Sequence, residues 1–228
     1  MKRIIILLMS LLVTAFLFAD MQLSGSEERV HLSYESGVNR SDETSIQQLL
    51  AIPSEEVELN ILACEVEVYD KAGNLLETKR ESGEQFARIE QSFVMRELYA
   101  HQLVIDLAQP QENGEAKLKN IELEVCGTSR ATVPTKVSKA YLPIYREMVD
   151  NFDNSYLRNL EVQQSKMLII AHNDATLLNV VNYFTDWKNA KGIDTEVVKM
   201  EDIGTTNAAI KNYIQTVYNS EEYPPDYL

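Results

Sequence analysis

The sequence predicts a mixed fold: an N-terminal antiparallel, sandwich-like β domain followed by the first βαβα units of a doubly wound α/β domain. Three observations carry this. Residues 57–69 (VELNILACEVEVY) alternate apolar with polar, the period of a half-buried strand. Residues 167–171 (MLIIA) form instead a continuous apolar run, the pattern of a parallel strand covered on both faces. Directly after them Leu177, Leu178, Val181, Phe184 and Trp187 recur at helical intervals, and a second short strand follows that helix.

The first segment, 1–19, reads as a signal peptide. Lys2 and Arg3 make a basic start, residues 4–18 are almost wholly apolar, and Ala19 offers a small residue ahead of Asp20. The run is too short for a comfortable membrane span. The expectation is therefore export, with the mature protein secreted or at the cell surface and free of the membrane after cleavage.

Residues 20–128 are expected to form the β domain. In the strand over 57–69, Leu62, Cys64, Val66 and Val68 share one face and Glu65 and Glu67 the other. Residues 70–74 (DKAGN) turn the chain into a strand over 75–80. Strands over 102–108 and 116–126 are predicted to be joined through Asn113-Gly114, a type I′ hairpin signal, with Ile121, Leu123 and Val125 on the buried face. Residues 129–165 read as a junction: a polar opening, a short helix over 142–152 after Pro143, then a polar stretch over 154–165 without strong periodicity.

Residues 166–228 are expected to open the α/β domain. Asn173 and Asp174 are N-cap candidates for a helix from Ala175 to about Lys191, closed by Gly192. A strand over 195–200 (TEVVKM) follows, then a helix capped by Thr205 or Thr206 with the stripe Ala209, Ile210, Tyr213, Ile214 and Val217. Pro224 and Pro225 end it, and a third strand is expected to begin at Asp226. In a 2-1-3 sheet the first strand lies between the second and third. A chain ending at Leu228 leaves that sheet incomplete, so the expectation is a truncated domain from a longer natural protein.

These last residues carry a resemblance. KMLIIAHND, then FTDWKNAKGIDTEVVKMEDIG, an AIKNYIQTVY helix and a proline-containing step into DYL resemble the start of the catalytic domain of the gingipain-type cysteine peptidases. The resemblance implies an exported endopeptidase with a propeptide, a caspase-like catalytic domain and a Cys/His dyad downstream of the segment matched here. It assigns no catalytic residue to this chain, which should be inactive as it stands. It also implies protein or peptide substrates, a downstream catalytic domain of the same polypeptide as the partner of the β domain, and structural calcium in the missing part. By position the β domain would be the propeptide.

The residues themselves are sparing with chemistry. Cys64 and Cys126 lie inside predicted strands, where a thiol acts as a small hydrophobe. Strand phase sets Cys126 opposite Ile121, Leu123 and Val125. In an exported protein the two are a candidate disulfide, and neither has the electropositive setting of a nucleophile. His31, His101 and His172 are scattered and fit no ligand spacing, so no metal or cofactor is expected in this segment. His172 follows the carboxyl end of a parallel strand, where open α/β sheets bind ligands, and reads most simply as a loop histidine. Arg158 is the candidate processing residue in the polar stretch before the α/β segment.

The net charge is −14, and loss of residues 1–19 removes Lys2 and Arg3 and no acid, leaving −16. Such a surface disfavours nucleic acid and anionic lipid. No phosphate-cradling glycine motif is present. The preferred expectation is the propeptide and early catalytic part of a gingipain-like cysteine endopeptidase. The alternatives are a secreted β-sandwich binding or adhesion module with a degenerate α/β remnant, and an unrelated doubly wound ligand-binding domain.

Overall fold

The computed structural model describes residues 21–37, 44–133, 135–220 and 224–228. The segment expected as a signal peptide, 1–19, lies outside the described residues. The chain forms two compact units. One holds the described residues up to Val133 together with Glu147–Asn159, and the other holds Pro134–Arg146 with Leu160–Leu228. Residues 129–165, expected as a junction, are thus shared between the two.

The first unit is antiparallel β. Its strands are β1 (Met21–Ser26), β2 (Arg29–Glu35), β3 (Ser45–Ala51), β4 (Val57–Asp70), β5 (Leu75–Arg80), β6 (Ala87–Met95), β7 (Leu98–Asp106), β8 (Ala108–Gln111) and β9 (Gly114–Gly127). One sheet runs β1-β2-β9-β4-β5, with β8 also paired to β9, and the second runs β3-β7-β6. Val30 and Leu32 of β2, Val66 of β4, and Leu123 and Val125 of β9 share one core with Ile46 and Leu50 of β3 and with Leu103 and Ile105 of β7. Two sheets with facing apolar rows make the expected sandwich.

Two features of the β unit differ from the sequence expectation. Leu62 is not on the buried face. The β4–β9 register passes from Ile61↔Leu123 to Ala63↔Glu122, and Leu62, the extra residue of this β-bulge, is 56% exposed. Leu59 and Ile61 pack on the core before the bulge, and Cys64, Val66 and Val68 are buried after it. The strands over 102–108 and 116–126 are not hairpin partners either. β7 ends at Asp106 in the second sheet, and the short β8 pairs with β9 through Gln111↔Gly114, which makes Glu112 and Asn113 the turn centre. Asn113 does not have positive φ, and Gly114 takes the unusual backbone instead: an added Cβ would stand 1.8 Å from Tyr69 O.

Helix α1 (Leu142–Met148) stops four residues before the expected Phe152. Beyond it the backbone is claimed by the first unit. Asp150 N donates to Leu49 O at 2.9 Å, while Leu49 N donates to the Asp150 carboxylate at 2.6 Å. Ala51 N donates to Asn151 Oδ1 at 2.8 Å, and Asn151 Nδ2 donates to Ala51 O at 3.1 Å. Two consecutive residues thereby pair with the open edge of β3 as a neighbouring strand would. Two 3₁₀ turns, Phe152–Asn154 and Tyr156–Asn159, then bury Phe152, Tyr156 and Leu157.

The second unit contains β10 (Lys136–Ser138) parallel to β11 (Glu161–Gln163), and β12 (Ser165–Ala171) parallel to β13 (Ile193–Lys199). Between β12 and β13 runs α2 (Ala175–Ala190), and α3 (Met200–Ile203) and α4 (Asn207–Ser220) follow. Met200, expected at the end of a strand, opens the one-turn α3. Thr206 caps α4, its hydroxyl accepting from Ala209 N at 3.2 Å. Met167 bridges Tyr227 in parallel fashion, and Leu168 N donates to Tyr227 O at 3.0 Å. β12 therefore lies between β13 and the segment at Tyr227, the 2-1-3 order expected.

Candidate functional site

In an open parallel sheet the place for a ligand is the carboxyl end of the strands. Here that end is formed by residues 172–174 after β12 and by α3 after β13. Asp174 is the N-cap of α2: its carboxylate accepts from Leu177 N at 2.9 Å, neutralising one of the free amides of the first turn. His172 is exposed, and its carbonyl accepts from Asp174 N at 2.9 Å. Among the described residues no side chain is hydrogen-bonded to its ring, so no nucleophile or second catalytic group is joined to it. Gly192, at φ 81°, lets the chain leave α2 for β13.

The opposite end of β12 is closed by side chains. The Asp226 carboxylate accepts from Ser138 Oγ at 2.8 Å and from Lys166 N at 3.0 Å. Ser138 and Ser165, both buried, lie with their hydroxyl oxygens 3.4 Å apart. These contacts hold the residues before Tyr227 against the start of β12.

The cysteines do not form a site. The disulfide expected as a candidate between Cys64 and Cys126 is absent: both thiols are free. The register explains it, because Cys64 opposes Ile121 whereas Cys126 opposes Glu58, six residues further back along β4. Six residues of strand span about 20 Å, far beyond the reach of a disulfide. Burial pushes the Cys64 thiol up to about 11, with Glu81 adding to the effect. Cys126 faces outward, its Sγ donating to Glu124 at 3.3 Å, and lies diagonal to His31 across the β2–β9 pairing. Cysteine, glutamate and histidine thus come together on one sheet face, but partial burial and then the Glu124 hydrogen bond raise that thiol too. A raised thiol is a poor nucleophile near neutral pH.

His101 is buried on β7. Its Nε2 lies 3.4 Å from Ile52 O, which can only accept, so that nitrogen carries the proton and Nδ1 accepts from Ser92 Oγ at 2.8 Å. Desolvation holds its pKa below the ordinary value. Arg158 is exposed in the second 3₁₀ turn and donates to Asp153 O at 3.1 Å, directly after the buried Tyr156 and Leu157. Among the described residues no group of three or more His, Cys, Asp or Glu is placed to hold a metal ion, and no helix is long and apolar enough to cross a membrane.

Residues 161–228 match the family model Peptidase family C25. That stretch runs from β11 to the segment at Tyr227, so the family likeness rests on the parallel sheet and its helices and not on the β sandwich. One solved structure, the complex of Porphyromonas gingivalis RgpB pro- and mature domains, is similar at 10% identity, covering 59% of this chain and 97% of that one with a TM-score of 0.43. No curated protein matches the chain. The C-terminal part of the chain thus resembles the gingipain-type peptidases at the level of family.

Proposed function

We propose that this chain is the N-terminal portion of an exported cysteine endopeptidase of the gingipain type. The β sandwich is its propeptide and the β12–α2–β13–α4 segment opens its catalytic domain. The observation that carries the reading is that the residues matching a peptidase family are those that fold as a parallel sheet with β12 at its centre. The apolar stripe Leu177, Val180, Phe184 and Trp187 of α2 supports it. This stripe is exposed, Trp187 by 53%, although Leu178, Val181 and Thr185 on the neighbouring face are half-buried. Helices that carry two apolar faces belong in a layer with further neighbours.

In this reading residues outside 1–228 supply the Cys and His. The thiolate attacks the peptide carbonyl, the imidazole manages the protons, and backbone amides stabilise the oxyanion. The two cysteines within the chain take no part, since burial and neighbouring carboxylates raise both. Residues 1–19 direct export. Processing falls at Arg158, which is exposed one residue before the chain passes from the first unit into the second. The sandwich folds first and keeps the peptidase silent until that cut.

The test is to express the complete reading frame that contains this chain and to assay hydrolysis of an unstructured protein with and without iodoacetamide. Activity that appears after processing and is abolished by alkylation is expected. Activity indifferent to alkylation, or none after processing, would overturn the proposal.

A further inference from the structure

The face of the β3–β7–β6 sheet that points away from the sandwich core carries a groove of about 330 Å³, within the size range of small-ligand sites. Three glutamines, one from each strand, lie in a row across it. Gln91 Nε2 donates to Gln102 Oε1 at 2.8 Å, and Gln102 Nε2 donates to Gln47 Oε1 at 3.1 Å. The strand pairing sets this up, since Gln91 opposes Gln102 directly and Gln47 lies one diagonal step along β3. A row of three amides joined this way leaves a free N–H at one end and a free carbonyl oxygen at the other. Turning all three over exchanges the ends and still leaves an NH₂ group at one end and a carbonyl oxygen at the other.

The rest of the lining fits the same pattern. Phe93, two residues beyond Gln91 on β6, is half-buried and offers an apolar platform, and the exposed Met148 extends it. Asp150 stands at the rim with one carboxylate oxygen on Leu49 N, which leaves the other to accept. Among the described residues no Lys, Arg or His lines the groove.

We propose that this groove binds a neutral oligosaccharide. The amide row and Asp150 meet hydroxyls, which both donate and accept, while a pyranose C–H face lies on Phe93 and Met148. A phosphate or sulfate ligand finds no cation there and meets the Asp150 carboxylate instead. An aliphatic ligand leaves the two amide ends desolvated and unpaired, which disfavours it. The inference is independent of the peptidase reading: it concerns the β sandwich alone.

Electrophoresis of the full chain through native gels containing dextran, laminarin or mannan, with dextran sulfate as the anionic control, tests it. Retardation by at least one of the neutral polysaccharides is expected. Gln102→Leu, which breaks the row at its centre, should weaken it at least tenfold. Gln47→Ala, at an exposed end of the row, gives the same readout at a position whose loss leaves the fold intact, and the melting temperature of each variant monitors folding. No retardation by any neutral polysaccharide overturns the proposal. So does retardation by dextran sulfate alone, or retardation that survives both substitutions.

Discussion

His101 shows how a single buried side chain makes this protein sensitive to pH. Burial lowers its pKa below the ordinary 6.5, so the folded state binds fewer protons than the unfolded chain once the pH falls below that value. The stability that the neutral ring contributes is present above pH 6.5 and is lost as the pH falls through the folded pKa. Melting temperatures measured from pH 8 down to pH 5 should therefore decline below about 6.5, and His101→Gln should flatten that decline. Equal slopes in the two proteins would refute the assignment. Other residues illustrate what was legible from alternation alone. The outward phase of Cys126 and the inward phase of Ile121, Leu123 and Val125 follow from period two and hold in the structure. Leu62 does not, because a bulge is a property of a strand pair and leaves no mark on one strand read by itself.

The least legible element is the segment Glu147–Asn159. Its first residues read as the end of a helix and its last as a polar, aperiodic stretch, so nothing local marks its pairing with β3. It is held by partners 57 to 101 residues away in the chain. Asp150 and Asn151 complete the edge of β3, and the Tyr156 hydroxyl accepts from Tyr99 N at 2.8 Å and donates to Glu97 O at 2.6 Å. Truncating Asn151 leaves the Ala51 amide and carbonyl without partners in a buried place. Asn151→Ala should cost about 1–3 kcal/mol in urea unfolding, whereas a change at exposed Asn154 should cost almost nothing. If the two variants unfold alike, the edge-pairing role is wrong. The elements between β12 and α4 behave in the opposite way. Their strands and caps were readable because each depends on spacing within one or two turns of chain, and Asp174, Gly192 and Thr206 take the terminal roles that their chemistry suits. Of the expected α2 stripe, by contrast, only Leu178 and Val181 are half-buried, and Leu177, Phe184 and Trp187 are exposed.

Across the whole molecule the two units differ in how much they bury. The sandwich closes over a continuous apolar core, while no residue of α2 or α4 is buried. Local opening is cheapest where few apolar contacts resist it, so amide hydrogen exchange in α2 and α4 should be at least about tenfold faster than in β4 and β9. Uniform protection across these elements would contradict that difference.

The amino-acid sequence by itself determined the succession of a half-buried β region and a parallel α/β segment, because periods of two and 3.6 residues are local and report which face meets water. Strand pairing was decided by the tertiary structure. It separated β7 from β9 and set Cys64 about 20 Å from Cys126. It also drew Asp150 and Asn151 onto β3 and aligned Gln47, Gln102 and Gln91 in one row. The physical reason is that backbone hydrogen bonds between strands look alike whatever side chains they carry. Which strands meet, and in what register, follows only when the apolar faces of the entire sandwich are buried together.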